Sequence, residues 1–137
     1  MPSMTPAELA QFLERSLVAS FCTVSPNGSP KVTPVWFVHA EGKFFCWIDI
    51  GSVKAENLAR NPKVALCIAT HDEPYRYVTI EGTARVIRDC IESRALAISV
   101  RYYGEARGRA YATDALSFKD SLIVEITPTK LLTESAA

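Results

Sequence analysis

Apolar residues recur along the chain with two different periods, one typical of helices and one typical of strands. The segment TPAE opens a stretch of helical period, with Thr5 as N-cap, Pro6 at the first helical position and Glu8 three residues after the cap. The apolar face of this stretch consists of Leu9, Phe12, Leu13 and Leu17. We therefore expect a first helix that covers the core with this face.

Short apolar runs with the period of strands occupy most of the remaining chain. LVASFCTV and KVTPVWFVHA flank the turn SPNGSP, in which Asn27 and Gly28 form a strong hairpin signal. Further strands are expected in EGKFFCWIDI, KVALCIAT, YRYVTIEGTARVI and SLIVEITP. Alternation places Tyr77 on the opposite face from Val78 and Ile80. The pattern predicts six strands.

Two more segments have the pattern of helices. GSVKAENLARNP, residues 51 to 62, predicts a two-turn helix that begins at Ser52. DCIESRALAISVRYYG, residues 89 to 104, predicts a third helix from Asp89 as cap to a stop at Gly104. The final strand SLIVEITP follows this helix.

Six mostly antiparallel strands in a chain of 137 residues would leave exposed edges in an open sheet, so closure is favoured. We predict a mainly β fold, a six-stranded antiparallel barrel with helices at its surface, as one domain over residues 1–137. Its strands carry several aromatic residues that cannot all point into one narrow interior. These are Trp36, Phe37, Phe44, Phe45 and Trp47. A dimer interface, a planar ligand or the helices would cover those that point outward.

Charge and composition exclude several classes of function. Fifteen basic and fifteen acidic side chains give zero formal net charge, so no general attraction to nucleic acid or anionic lipid is expected. The start MPSMTPAELA lacks the features of a leader peptide, and no apolar run approaches the roughly 20 residues that span a bilayer. We expect a soluble, cytoplasmic protein with no membrane or nucleic-acid partner. The four cysteines form no C-x-x-C motif, which favours free thiols.

Catalytic motifs are absent from the sequence. His39 and His71 have no second ligand at metal spacing, so no metal site is expected. No G-x-S-x-G motif supplies a nucleophile, and GSVK lacks the glycines of a P-loop. The catalytic residues therefore stay unknown, and any enzymatic reactivity is expected to belong to an organic cofactor.

Lys54 lies in the first turn of the expected second helix, where the positive end of the helix dipole disfavours a cation. A helix N-terminus also presents free N–H donors, so a lysine beside it suits an anion with more than one negative charge, such as a phosphate monoester. The alternative is that Ser52 only caps the helix while Lys54 points into solvent. The chemistry favours a phosphate site.

Four segments together resemble the flavin-binding split-barrel family related to pyridoxamine 5'-phosphate oxidase. They are SPKVTPVWFV, GKFFCWIDIGSVKAENLARNPKVALCI, YRYVTIEGTARV and RYYG, and they cover nearly the whole chain in the family's order. The resemblance implies a six-stranded split barrel of the FMN-binding type. It also implies a homodimer with cofactor sites at the subunit interface, each holding FMN or, in one branch, the deazaflavin F-420.

The resemblance also implies the cofactor-binding residues. Ser52 and Lys54 would meet the phosphate, with Asn57 on the same helix. Tyr75 and Tyr77 would approach from the other subunit. The cofactor ring and ribityl chain would lie along two neighbouring strands, at Thr33, Pro34, Val35 and Trp36 on one and at Ile48, Asp49 and Ile50 on the next.

Three positions depart from the oxidase pattern. Thr33 stands in place of an arginine, Val38 in place of a lysine and Ile48 in place of a threonine, which weighs against pyridoxamine phosphate oxidase activity itself. The lack of a second basic residue near Ser52 favours FMN over a deazaflavin. The expected function is hydride transfer at flavin N5 to or from a small organic molecule, or alternatively a flavin carrier or sensor. Arg76, Arg101 and Tyr102 are candidates for orienting the substrate.

Overall fold

The computed structural model describes residues 2–118 and 120–136 and contains four helices and seven strands. The helices are α1 (Pro6–Leu13), α2 (Val53–Arg60), α3 (Ile91–Tyr103) and α4 (Glu105–Phe118). The strands are β1 (Ala19–Val24), β2 (Pro30–Val35), β3 (Phe37–Ala40), β4 (Lys43–Asp49), β5 (Lys63–Ala69), β6 (Arg76–Ile87) and β7 (Ser121–Ser135). No helix among the described residues is long and apolar enough to cross a membrane.

All seven strands belong to one antiparallel sheet with the order β2-β1-β5-β6-β7-β4-β3. The prediction of six strands is therefore wrong by one. The segment KVTPVWFVHA forms two strands, because Trp36 interrupts it: β2 pairs with β1, whereas β3 pairs with β4. The prediction of a mainly β, antiparallel fold is confirmed.

The position of Trp36 shows how the sheet is curled. Strands β2 and β3 lie at opposite ends of the sheet order, yet Trp36 alone separates Val35, the last residue of β2, from Phe37, the first of β3. Two steps along the chain span at most about 7 Å between Cα atoms, so the two edges of the sheet must meet at this point. We call residues 34 to 36, where the two edges meet, the seam. The sheet is thus a half-barrel closed on one side by the chain itself.

The core fills the inside of the curled sheet. Alternation along each strand sends one set of side chains inward, as in β1, where Ala19, Phe21 and Thr23 are buried. The largest fully buried side chains of this core are Phe21, Phe37, Phe44, Leu66, Ile68, Ile80 and Ile126, with the smaller Val78 and Val124. Phe45, Ile98 and Ile123 are also fully buried but lie outside this core cluster. Val78 and Ile80 point inward while Tyr77 is half-buried, as the alternation predicts.

Local signals read from the sequence are present at both early helices and at the first turn. Thr5 and Glu8 form a reciprocal capping box at the start of α1, and Phe12 and Leu13 are buried against the core. Ser52 is the N-cap of α2. Gly28 has φ +88°, the left-handed conformation that the Asn-Gly turn between β1 and β2 needs.

The later helices differ from the prediction. The cap of α3 is Cys90 and not Asp89, and Cys90 has φ 58° and makes no side-chain cap hydrogen bond. Gly104 ends α3 as predicted, but α4 then follows at once, and the sequence pattern did not indicate it. Gly108 lets α4 approach α3 closely, since a Cβ there would lie 2.5 Å from the Cα of Val100. Helices α3 and α4 therefore pack against each other as a pair beside the sheet.

The last strand is longer than predicted. Strand β7 continues past Pro128, where a register shift opposite Glu81 and Gly82 accommodates the missing N–H. It lies between β6 and β4 in the middle of the sheet. All four cysteines are free: Cys46 is buried, Cys22 and Cys67 are half-buried, and Cys90 is exposed.

Candidate functional site

A cleft of about 390 Å³ opens beside the seam, within the size range of small-molecule sites. The seam, the end of β4, the start of α2 and one face of the α3–α4 pair surround it. Its lining residues are Val18, Pro34, Val35, Trp36, Trp47, Ile48, Asp49, Ser52, Lys54, Ile98, Tyr111 and Ala115. The cleft has a polar end at α2 and an aromatic end at α4.

The polar end is the N-terminus of α2. The Ser52 hydroxyl accepts a hydrogen bond from the Ala55 N–H at 3.2 Å and donates one to the Asp49 carbonyl at 2.8 Å. Ser52 thus caps the helix, and its cap leaves the N–H groups of Val53 and Lys54 without partners among the described residues. These are the donors that an anion at a helix N-terminus uses.

Lys54 lies at the same end and is half-buried. Within residues 2–118 and 120–136 its ammonium group has no hydrogen bond and no carboxylate within ion-pair distance. A half-buried cation beside a positive helix end is unfavourable by itself. A ligand with a doubly charged phosphate would satisfy both the ammonium and the free N–H groups, so the polar end fits a phosphate.

The aromatic end is built around Trp36. Its indole stacks on the ring of Tyr102, with 4.6 Å between centroids, and contacts Tyr103 edge-on at 4.9 Å. Tyr111 contacts Trp36 at 5.9 Å and Trp47 at 6.0 Å. Flat rings prefer such surfaces, so this end fits the ring of a planar ligand.

Tyr102 holds Trp36 and the neighbouring chain segments in place. Its hydroxyl donates a hydrogen bond to the Leu17 carbonyl at 2.7 Å and accepts one from the Phe37 N–H at 3.1 Å. Burial raises the pKa of the Tyr102 phenol, and the Phe37 N–H and the Arg101 guanidinium oppose that rise. The phenol therefore remains protonated and ties the chain before β1 to the first residue of β3.

Arg101 and Tyr102 thus have structural roles instead of the substrate contacts considered from the sequence. The Arg101 guanidinium donates to the carbonyls of Leu13, Glu14 and Arg15, which end α1. Neither residue lines the cleft. Arg76 also lies elsewhere, beside Glu8 and Phe12 of α1.

Seven of the twelve residues predicted to bind a cofactor line the cleft: Pro34, Val35, Trp36, Ile48, Asp49, Ser52 and Lys54. They come from three separate segments, which the fold brings together. Residues 34 to 36 belong to the seam, residues 48 and 49 to the end of β4, and residues 52 and 54 to the start of α2.

Three predicted residues lie near the cleft without lining it. Asn57 is buried, and its amide donates to the Thr23 hydroxyl at 3.1 Å, so it anchors α2 on β1. The Thr33 hydroxyl is buried and has no hydrogen-bond partner among the described residues. Ile50 is 47% exposed just after β4.

Tyr77 lies on the face of β6 opposite to the core residues Val78 and Ile80, and Tyr75 comes just before this strand. Tyr75 is 52% exposed, and the Tyr77 hydroxyl donates to the carboxylate of Glu134 on β7. This hydrogen bond raises the pKa of Tyr77. Neither ring lines the cleft of the same chain, so any contact with a ligand there would have to come from another copy.

Five lining residues were not among the twelve predicted cofactor contacts: Val18, Trp47, Ile98, Tyr111 and Ala115. Trp47 and Ile98 had a signal, since Trp47 belongs to a predicted strand that ends at the site and Ile98 to the predicted third helix. Tyr111 and Ala115 had none, because they lie on α4. Elsewhere in the described chain, no three His, Cys, Asp or Glu side chains are grouped closely enough to hold a metal ion.

Solved structures share this fold. A conserved hypothetical protein from Mycobacterium tuberculosis is 23% identical with a TM-score of 0.85, covering 97% of this chain and 86% of that one. An F420 reductase is 27% identical with a TM-score of 0.71, covering 88% and 93%. The heme storage protein HutZ from Vibrio cholerae is 20% identical with a TM-score of 0.73, covering 92% of each chain.

No curated protein matches the chain. A family model does, and its match extends from the cap of α1 to the end of β7, including every segment around the cleft. The family is described as pyridoxamine 5'-phosphate oxidase, and the matched residues are 5–134. Because the match covers nearly the whole chain, this protein belongs to the pyridoxamine 5'-phosphate oxidase family.

Proposed function

We propose that the protein is a flavin-type oxidoreductase that binds FMN in the cleft beside the seam. One observation carries the proposal: a single cleft joins a lysine and two helix N–H groups, which have no partner among the described residues, to the aromatic surface of Trp36. A phosphate-bearing cofactor with a flat ring has matching ends. The family and the F420 reductase of similar structure support a flavin-type cofactor.

Bound FMN would supply hydride transfer at its ring, which explains why no acid–base pair is needed in the cleft. The protein's own residues would bind and orient the cofactor and would exclude water from the cleft. Lys54 and the N–H groups at the start of α2 would hold the phosphate. Pro34, Val35 and Ile48 would border the rest of the cofactor. Trp36, held by Tyr102, would close the cleft against solvent.

We further propose that the active form is a homodimer. The outer face of the sheet carries small and apolar side chains in rows across neighbouring strands. One row consists of Val32, Cys22 and Ala65, and the next of Cys67, Thr79 and Leu132. Val32 is 58% exposed and Leu132 is 49% exposed, so this face is not covered by the chain's own helices.

A second copy on this face would bury those side chains. It would also bring its own Tyr75 and Tyr77 toward the cleft of the first copy. Light scattering of the purified protein tests the dimer, which should have twice the mass of the 15.1 kDa chain. A monomer at micromolar concentration that still binds FMN tightly would contradict the shared site.

The deazaflavin F-420 is the second candidate cofactor, and the 27% identity to an F420 reductase favours it. FMN is the first candidate because Lys54 is the one basic residue among those lining the cleft. The two cofactors differ in their absorbance and fluorescence, so one set of measurements decides between them.

The test is an absorbance spectrum of the protein as isolated, followed by titration with FMN, F-420 and riboflavin. We expect saturable FMN binding that is tighter than riboflavin binding. Tighter binding of F-420 would assign the second cofactor, and failure of all three to bind would refute the proposed function. Steady-state turnover with a reductant and an electron acceptor then separates an oxidoreductase from a carrier or sensor.

A further inference from the structure

Another pocket lies between α1 and the start of β6. Its volume is about 400 Å³, within the size range of small-molecule sites, and it shares no lining residue with the cleft. Its lining residues are Met4, Glu8, Gln11, Phe12, Arg15 and Arg76. Glu8, Gln11 and Phe12 lie on one face of α1, and Arg15 follows two residues after the end of this helix. We call this place the α1 pocket.

Arg76 faces the inner side of the sheet. Alternation along β6 puts it on the same side as the core residues Val78 and Ile80. It is half-buried, and within residues 2–118 and 120–136 its guanidinium has no hydrogen bond and no carboxylate within ion-pair distance. A half-buried cation has lost part of its hydration without gaining a partner. Arg76 therefore favours an anion in the α1 pocket.

Arg15 supplies a second guanidinium to the same pocket. It lies 3.7 Å from the carboxylate of Asp72, whose side chain is 73% exposed. Ion pairs between exposed side chains contribute little to stability, so a ligand that binds both guanidiniums can displace Asp72 from Arg15. His71 and Glu73 belong to the same turn as Asp72, and all three are exposed and do not line the pocket.

Glu8 is the one carboxylate among the described lining residues. Its Oε1 accepts the Thr5 N–H at 2.9 Å in the capping box, so this carboxylate is held at the start of α1. Arg15 follows the other end of the helix, about 10 Å away along the axis. The carbonyls at that end accept hydrogen bonds from Arg101, which reduces their repulsion of an anion. Two positive charges and one negative charge in the lining suit a ligand with a single negative charge.

The floor of the α1 pocket is apolar. Phe12 is 3% exposed and Met4 is 9% exposed, and both belong to the core cluster. A ligand that reaches them would bury apolar surface in addition to its charge. The pocket therefore favours a molecule with an apolar body over a bare inorganic ion.

We propose that the α1 pocket is a binding site for a small organic carboxylate. Its carboxylate group binds the guanidiniums of Arg15 and Arg76, whose planar fork of N–H donors matches the two carboxylate oxygens. Its apolar body packs on Met4 and Phe12. This site is separate from the cleft beside the seam, and its occupancy does not depend on the proposed cofactor.

The probe is 4-(trifluoromethyl)benzoate, and its binding is followed by fluorine NMR. The matched neutral probe is 4-(trifluoromethyl)benzamide, which has the same ring and nearly the same shape without the charge. Each is titrated into the purified protein with no cofactor added. The same titrations on Lys54→Ala separate the two pockets, because a carboxylate that bound in the cleft would use Lys54.

We expect saturable binding of the benzoate with a dissociation constant of about 1 mM or lower, and binding of the benzamide that is at least 10-fold weaker. Arg76→Gln should weaken benzoate binding about 10- to 100-fold. Asp72→Asn should instead tighten it about 2- to 5-fold, because it releases Arg15. Arg60→Gln is the control, since Arg60 is exposed on α2, and it should bind as the wild type does.

Binding that does not saturate, equal binding of the two probes, or an unchanged affinity in Arg76→Gln would overturn the proposal. Loss of benzoate binding in Lys54→Ala would place the probe in the cleft and would also overturn it. The comparison of the two probes on the wild type and the gain expected in Asp72→Asn decide the question even where Arg76→Gln fails to fold. Failure of FMN to bind would refute the proposed function and leave this site untouched.

Discussion

The indole ring of Trp36 lies parallel to the phenol ring of Tyr102, with 4.6 Å between the ring centroids and 5° between the ring planes. The Tyr102 hydroxyl bonds to Leu17 and Phe37, which flank the seam in space. One side chain of α3 therefore supports Trp36 and holds together the chain segments on both sides of it. This relationship leads to the first prediction.

Tyr102→Phe keeps the stacked ring but removes both hydrogen bonds of the hydroxyl. The Leu17 carbonyl and the Phe37 N–H then lose a partner, so we expect the free energy of unfolding to fall by about 1 to 3 kcal/mol. Urea denaturation measures the change. Tyr103→Phe is the matched control, because the Tyr103 hydroxyl makes no hydrogen bond within the described chain, and it should leave stability unchanged. Equal stability of both variants would show that the hydroxyl of Tyr102 contributes nothing.

Lys54→Ala tests the phosphate end of the cleft. Loss of one charged hydrogen-bond partner costs about 1.5 to 3 kcal/mol, so FMN affinity should fall roughly 10- to 100-fold. Riboflavin, which lacks the phosphate, should bind wild type and variant equally. Stability without ligand should be unchanged or slightly higher, because the substitution removes a cation from a positive helix end.

Paired fluorescence titrations with FMN and riboflavin give the two affinities. Lys63→Ala serves as control, since Lys63 is exposed on β5 and does not line the cleft. Equal losses for both ligands in Lys54→Ala, or no loss for either, would remove Lys54 from the phosphate site.

We predict that Asn57 stabilises the fold through its hydrogen bond to Thr23. Asn57→Ala leaves the Thr23 hydroxyl buried without its donor, and Thr23→Val leaves the Asn57 amide without its acceptor, so each should lower the free energy of unfolding by about 1 to 3 kcal/mol. The double variant should lose less than the sum of the two, which a double-mutant cycle measures. Strict additivity would contradict the bond. A fall in FMN affinity without any loss of stability would instead make Asn57 a cofactor contact.

Cys46 gives the protein a stability that depends on pH. Burial raises the pKa of its thiol from 9.0 to about 12 in the folded chain. In the unfolded chain the thiol loses its proton near pH 9, so between about pH 9 and pH 12 the unfolded state binds fewer protons and stability falls as pH rises. Burial raises the pKa of Cys67 as well, which adds in the same direction.

Urea denaturation at pH 8 and pH 10 measures this dependence. The wild type should be less stable at pH 10, and Cys46→Ala should lose less stability between the two pH values. Cys90→Ala is the control, because Cys90 is exposed. A pH dependence identical in wild type and Cys46→Ala would show that this thiol does not cause it.

Sequence reasoning succeeded where the determinants are local. The capping box of Thr5 and Glu8, the Asn27-Gly28 turn and the Ser52 cap each depend on a few neighbouring residues, and each is present. Ser52 and Lys54 followed from the local pattern at the start of α2, and the other five predicted cleft residues followed from the resemblance. Their meeting depends on the curl of the sheet, which no single segment encodes.

The errors have tertiary causes. KVTPVWFVHA has strand propensity on both sides of Trp36, and its proline, Pro34, lies inside β2 and not at the break. Nothing local therefore shows that the residues before and after Trp36 pair with different strands. Helix α4 has little apolar periodicity and contains Gly108, which lowers helix propensity, and its packing on α3 stabilises it instead. Asn57 is polar and helical, and only the structure shows that its amide is buried against Thr23.

The seam makes the cleft inseparable from the completed fold. Residues 34 to 36 acquire their places only when both edges of the sheet have met, so a partly unfolded chain with an open sheet has no cleft. A ligand of the cleft consequently binds the native state alone, and its binding energy adds to the stability of the whole molecule. At a ligand concentration 100 times its dissociation constant this linkage amounts to about 2.7 kcal/mol. A ligand in the cleft would thus lower the fraction of unfolded chain that a protease can cut.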